Sequence, residues 1–401
     1  MVAFSNLALA ALVSYAAAHP GEKHDAQKMK RELVARDYAA QVGARSLASC
    51  SNSASAQALK ARSIKRRAET VSKIRQKRGI QAAARKDKRE LADLQAWEKV
   101  NHNMTGTYDY NMFTSLEEVF SGNTSCILAP EITDGPYYVV GEKMRSNVKE
   151  AKWCDGIDVF LEVQYIDVNT CDPIPSVAVD IWNCNATGVY SGISTNGNYA
   201  EGGYNSTYLR GIQLTDADGV ASFETIFPGH YSGRAVHTHL LAHTNAKVMP
   251  NGTISVWNAP VSHIGQLFWP EDLRVEVEAT YPYNTNTVEI TTNDEDMWSV
   301  LQADESFDPF PQYVYLGDSI EDGLFAWIQI GINGSADYTE DEYYGIAAYL
   351  DAEGGHSTGN GMGGGAPGGG NGTGPGGNGT MPSGFPSGSM SGGPPPSETS
   401  A

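Results

Sequence analysis

His237 and His239 occupy alternate positions in the run Phe227-Pro228-Gly229-His230-Tyr231-Ser232-Gly233-Arg234-Ala235-Val236-His237-Thr238-His239-Leu240. On a β-strand, side chains two residues apart leave the same face, so the two imidazoles can share one metal ion. A His-x-His pair is also what two surface imidazoles on one strand look like. Other metal-capable side chains lie nearby. Tyr190 follows a strand-like stretch from Val179 that breaks at Gly188, and Tyr231 follows the turn residues Pro228-Gly229. His243 shares the strand face of His237 and His239. Tyr204 and Tyr208 lie on a Gly, Asn and Tyr-rich stretch from Ser191 to Tyr208. These three are rival ligands, and a copper site on His237, His239 and His243 is one alternative arrangement. Asp216-Ala217-Asp218-Gly219 has part of a calcium loop but lacks its remaining ligands, so it is read as a tight turn.

Three segments taken in order, Val179 to Tyr190, Leu214 to Ile226 and Phe227 to Leu240, resemble the intradiol ring-cleavage dioxygenases, the catechol and protocatechuate dioxygenase family. The resemblance implies a non-haem Fe(III) cofactor held by Tyr190, Tyr231, His237 and His239. Two phenolates and two imidazoles form a hard, anionic donor set that suits ferric iron better than zinc or copper(I). The resemblance further implies that a catechol-type diol chelates the metal, that Tyr231 is the ligand displaced, and that O2 is inserted between the hydroxyls to give a cis,cis-muconate. Arg234 would stabilise charge developing on the ring, and Gln266, in Ile264-Gly265-Gln266-Leu267-Phe268-Trp269-Pro270, would orient the oxygen-derived group. Pro136 and Tyr137, within Asp134-Gly135-Pro136-Tyr137-Tyr138, match a segment at the pocket mouth. Tyr231 and His237 are closer in sequence than in the protocatechuate enzymes, which resembles the secreted, single-chain branch of the family. A rival from another class is a secreted β-sandwich module gripping carbohydrate or cell-wall polymer without turnover. It would have no need to retain four ligands and Arg234 together.

The elements that must position these residues are read from pattern. Ile157, Val159, Leu161, Val163 and Tyr165 alternate with polar residues, as in a strand with one buried face. Ser176 to Asn183 repeats the pattern. Further strands are expected at Val220 to Ile226, Ala235 to Ala242, Thr253 to Trp257, Ile264 to Trp269 and Leu324 to Ile332. Many short strands between Gly, Asn and Asp turns point to an all-β fold with a β-sandwich core, and the resemblance implies the same architecture over roughly Cys126 to Thr280.

Charge divides the 401 residues. Between Pro20 and Lys99 there are 20 Lys or Arg against 9 Asp or Glu, while the remainder holds 8 against 38. The basic part has helix-favouring composition and reads as a solvated helix or a propeptide. Lys30-Arg31, Lys65-Arg66-Arg67, Lys77-Arg78 and Lys88-Arg89 offer a processing protease places to cut. No aromatic residues are interleaved among its basic clusters from Lys60 to Arg89 for stacking on bases, which argues against nucleic acid as a partner; an arm lying against the acidic domain of its own or a partner chain fits better. The expected organisation is a signal peptide at 1–18, the basic N-terminal arm at 19–118, the β-sandwich domain at 119–350 and a disordered Gly, Pro and Ser-rich tail at 351–401. The apolar run Leu7 to Ala18 is too short to span a bilayer, so no membrane partner is expected; a homodimer is compatible with the pattern. Eight Asn-x-Ser/Thr acceptors, at Asn103, Asn123, Asn185, Asn205, Asn251, Asn333, Asn371 and Asn378, fit a secreted, extracellular glycoprotein. In an oxidising compartment the cysteines would pair. Cys171 with Cys184 across a hairpin, leaving Cys126 with Cys154, is one connectivity that spacing allows, with Cys50 the odd one.

Overall fold

The computed structural model describes residues 26–80, 102–103, 115–120 and 132–359, apart from 151–153, 196, 257–258, 304–307 and 342. The expected signal peptide, Lys88-Arg89, Cys126 and the acceptors Asn123, Asn371 and Asn378 lie outside the described residues, as does the tail from 360 onward. Three helices come first: α1 (Ala26–Cys50), α2 (Ala54–Arg78) and the short α3 (Leu116–Phe120). Strands then follow as β1 (Val139–Val140), β2 (Asp158–Asp167), β3 (Ala178–Trp182), β4 (Ser194–Thr195), β5 (Asn198–Tyr199), β6 (Arg210–Leu214), β7 (Val220–Ile226), β8 (His237–His243), β9 (Lys247–Val248), β10 (Ile254–Ser255) and β11 (Val261–Phe268). After α4 (Glu271–Glu278) and α5 (Met297–Gln302) come β12 (Gln312–Tyr315), β13 (Leu324–Ile332), β14 (Ala348–Asp351) and β15 (Gly354–Ser357).

Two four-stranded sheets, ordered β12-β13-β2-β7 and β11-β8-β3-β6, form the centre. Only β13 with β2 is parallel within them. The alternation expected of β2 holds: Val159, Leu161, Val163 and Tyr165 join Leu324, Ala326, Ile328 and Phe223 from their own sheet. Across the interface they share one buried cluster with Val179, Ile181, Leu240, Ala242 and Leu267. Fully burying an aliphatic side chain of this kind stabilises by about 1.5–3 kcal/mol.

The opposite face of β2 is covered, although its polar residues suggested solvent. Helix α2 lies there. It starts at Ser53, whose hydroxyl accepts from Ala56 N, and stops at Gly79 in the left-handed conformation (φ 68°). Ala68 and Val71 pack with Phe325, Trp327, Val314 and Leu316. Arg67, buried, donates to Glu162 Oε1 at 2.6 Å, and Arg66 reaches both oxygens of Glu162 at 3.0 and 3.1 Å. Ser63 donates to Gln164 at 3.1 Å. The polar face of the strand is therefore matched by a polar helix face, and the basic arm packs on the acidic domain.

The disulfide joins Cys50 to Cys171, which corrects the expected Cys171–Cys184 bridge. Cys171 packs with Leu47 and Leu59 of the arm, whereas Cys184 belongs to the separate cluster of Trp182 and Tyr190. Cys184 is instead a buried thiol donating to Gly229 O at 3.1 Å. Cys154, also free, accepts from Glu150 N, and its expected partner Cys126 is outside the described residues. The bridge closes a separation of 121 residues. Its removal by Cys50→Ser is expected to lower stability by about 2–5 kcal/mol, read as a drop in Tm that reductant produces in the wild type but not in the variant.

Ordered chain continues past the boundary expected at 350: β14 pairs with both β1 and β15, because Gly354 and Gly355 let the return strand come against Asn205 and Tyr204. Asp216 to Gly219 is a tight turn, with Asp216 Oδ1 accepting from Asp218 N and Val220 N.

Candidate functional site

The site lies on the face of the second sheet that points away from the shared core. Along β8 the core takes Leu240 and Ala242, so His237 and His239 leave on the other side, as their spacing predicts. Trp182 on β3 and Gln266 on β11 are the register partners of His239. The three therefore form a row across the sheet, and the Trp182 ring lies flat on the His239 ring, 4.7 Å between centroids and 5° between planes.

Two loops bring in the tyrosines. After β3 the chain turns on Asn185, whose Oδ1 accepts from Thr187 N and Val189 N. Gly188, at φ 81°, touches the other loop: a Cβ there would sit 2.2 Å from His230 O and 3.1 Å from Tyr231 Cβ. Only glycine allows that approach. Tyr190 is then clamped through its backbone by Asn198, which accepts from Tyr190 N (2.7 Å) and donates to Tyr190 O (2.9 Å). Tyr231 is held by its neighbour His230, whose Nδ1 and Nε2 donate to Glu278 (2.7 Å) and to Val288 O (2.9 Å). The bond to Glu278 raises the His230 pKa despite partial burial.

The result is a convergence of four donor atoms. His237 Nε2 stands 3.0 Å from His239 Nε2, 3.2 Å from Tyr231 Oη and 3.3 Å from Tyr190 Oη. His237 Nδ1–H donates to Ala235 O at 2.6 Å, which leaves Nε2 of the neutral ring with its lone pair facing the cluster. Burial, and for Tyr190 also the neighbouring Tyr231, pushes both phenols above their ordinary value. Neither ionises at neutral pH unless a cation takes the place of the proton. Two imidazole nitrogens and two phenolic oxygens this close, in a buried setting, are a set that could hold one hard metal ion.

Around this cluster stand the other expected residues. Arg234, fully buried, donates from Nε to Asp296 Oδ2 (2.9 Å) and from Nη2 to Gln266 Oε1 (2.5 Å); its Nη1 is buried without a hydrogen-bond partner among the described residues. Burial opposes its charge, but Asp296 and the two tyrosines outweigh this and raise its pKa. Gln266 donates to Thr133 O at 2.9 Å. Tyr137 stacks on Tyr190 with centroids 4.7 Å apart, and burial pushes its hydroxyl up to about 12. Pro136 lies beside it, buried, in a short 3₁₀ turn.

The rival ligands are placed elsewhere. His243 Nε2 lies 3.1 Å from Tyr138 Oη and its Nδ1 donates to Ala259 O; burial lowers its pKa to about 4. Tyr208 is packed in the core between the sheets, and Tyr204 Oη donates to Ser194 O. Sequence reading missed Asp296, Asn198, His230 with Glu278, Thr133 and Trp182. Of these only Asp296 carries a local signal, as the N-cap of α5.

The Dioxygenase family model matches residues 133–275, which contain every expected site residue. The intradiol ring-cleavage dioxygenase from Tetranychus urticae is 30% identical over 53% of this chain and 97% of its own, with a TM-score of 0.43. Catechol 1,2-dioxygenase from Acinetobacter sp. ADP1 is 17% identical over 51% of this chain and 62% of its own, TM-score 0.33. Hydroxyquinol 1,2-dioxygenase from Pseudomonas putida DLL-E4 is 15% identical over 54% and 70%, TM-score 0.33. No curated protein matches the sequence. On the family match and the identity that extends along nearly all of the Tetranychus urticae enzyme, the chain belongs to the intradiol ring-cleavage dioxygenases.

Proposed function

We propose that the chain is a secreted non-haem Fe(III) dioxygenase that cleaves catechol-type aromatic diols between their hydroxyls, with both atoms of O2 entering a cis,cis-muconate-type product. The observation that carries this reading is the gathering of Tyr190 Oη, Tyr231 Oη and His239 Nε2 within 3.0–3.3 Å of His237 Nε2. These four residues would hold the ion. When bound, it supplies chelation of both diol oxygens and activation of the ring toward O2.

The two tyrosines differ in freedom, which supports a different part for each. Tyr190 is fully buried, clamped by Asn198 and stacked on Tyr137, so it stays in place. Tyr231 is only partly buried and is followed by exposed Ser232 and Gly233. It is the phenol able to turn aside for substrate and to carry away a diol proton. The free N–H at Nη1 of Arg234 offers a positive, desolvated donor to charge developing on the ring. Gln266, tied at both ends of its amide, gives a fixed orientation to the oxygen-derived group. Export is supported by the apolar leader before His19, and by acceptors such as Asn251, exposed at the β9–β10 hairpin.

The test is the visible spectrum of the ferric-reconstituted protein, before and after catechol without oxygen. A broad tyrosinate-to-iron(III) band that moves to longer wavelength with catechol is expected. A protein that stays colourless after reconstitution would sink the proposal.

A further inference from the structure

The inward face of α1 is half-buried Leu33 with buried Arg36, Ala40, Gly43 and Leu47, a helical spacing with one charged member. Arg36 is 4% exposed. Its guanidinium ties two segments of the catalytic domain together. Nη1 donates to Ile132 O at 2.8 Å, while Nη2 and Nε donate to Asp341 Oδ2 at 2.7 and 3.2 Å. The guanidinium carbon lies 4.5 Å from the ring centre of Tyr343.

Both segments lead to the site. Ile132 N donates to Ile264 O, and the adjacent Thr133 carbonyl accepts from Gln266, which in turn accepts from Arg234. Tyr343 O accepts from Asp134 N, and Gly345 N donates to Asp134 Oδ2. Residues 132–137, which end at Pro136-Tyr137, are thus anchored on one side by β11 and on the other by the 341–345 segment. Arg36 bridges the two.

We propose that Arg36 is a positioning residue for ring cleavage: the N-terminal arm, through this one guanidinium, sets the Ile132–Thr133 backbone and with it the orientation of Gln266 and Arg234. The arm is then a working part of the active site and not a propeptide discarded from it. The inference rests on the dioxygenase reading. Lysine cannot replace arginine here, because one ammonium cannot serve a carbonyl, a carboxylate and a ring face at once.

The experiment compares full-length wild type with Arg36→Ala and Arg36→Lys. Amide hydrogen exchange over 132–137 is expected to speed up at least tenfold in both variants, at Asp134 and Gly135 above all. In iron-loaded protein kcat should fall roughly tenfold to a hundredfold, with the resting visible band and its shift on anaerobic catechol binding retained. If Arg36→Ala fails to fold, Asp341→Asn removes one anchor of the same guanidinium and is read the same way. Unchanged exchange and unchanged kcat in a folded variant would overturn the positioning role. A wild type without turnover would instead count against the dioxygenase reading, with the exchange result still deciding whether Arg36 orders the segment.

Discussion

His237→Ala is expected to abolish ferric binding and ring cleavage together. His237 Nε2 is the atom from which the other three donors are 3.0–3.3 Å away. Removing it deletes the centre of the set and leaves two phenols that have no cation to ionise them. Loss of a hydrogen-bonded partner one shell further out already costs about 10–100-fold in metal affinity or activity, so loss of the central donor should exceed that. The measurement is iron content by elemental analysis after reconstitution and dialysis, with catechol turnover on the same sample. His243→Ala is the control: its imidazole faces Tyr138 and Ala259, and iron stoichiometry should be retained. A His237→Ala protein that binds iron at full stoichiometry would show that the four donors are not the metal site.

The second large effect concerns stability. Glu162→Gln should destabilise the fold by about 3–5 kcal/mol, the usual cost of removing one partner from a buried ion pair. Glu162 and Arg67 have side chains 3% and 2% exposed and lie 2.6 Å apart. Burial takes some basicity from Arg67, but an arginine remains charged at neutral pH. The variant therefore leaves a cation without its counter-charge beneath α2. Burial also opposes ionisation of Glu162, yet Arg67 and Arg66 hold its carboxyl below the usual range. A depressed folded-state pKa contributes stability that is present above the unfolded value, about 4.3 for Glu, and that is lost as pH falls through the folded one. Urea midpoints at pH 7 and pH 3 test both statements. The variant should unfold at lower urea at pH 7, and the gap should narrow in acid. A variant as stable as wild type at pH 7 would show that the Glu162 ion pairs do not contribute to holding the arm.

The pattern of residues made much of this visible. Alternation in β2, β3, β7 and β13 could be read because one face of each meets the common core, and burial on one side is what period two records. Strand β6 was not readable, since its buried Arg210 donates to Glu142 and Ser191 O rather than facing solvent. The outer face of β2 misled for a related reason: Glu162 and Gln164 look alike whether they meet water or the arginines and serine of a helix. At the site, the histidine pair declared itself through local spacing. Asn198, Asp296 and the Glu278 partner of His230 could not, because each acts on a residue brought near by the fold and not by the chain. The cysteine pairing failed on the same ground, the bridge running to a helix that spacing alone could not place.

The parallel pairing of β2 with β13 sets an order on biogenesis. A ribosome releases α2 and β2 long before β13, so the first sheet lacks its central partner while much of the chain is still being made. During that interval β2 would present an unpaired edge and a bare apolar face. Helix α2 has already emerged by then, and its Arg66, Arg67 and Ser63 find partners in Glu162 and Gln164 of β2 before the later contacts with Asp218 and Trp327 become available. The arm can thus cover the polar face of the nascent strand from the moment both are free, while its edge stays open to association until Leu324 to Ile332 arrive to complete the sheet.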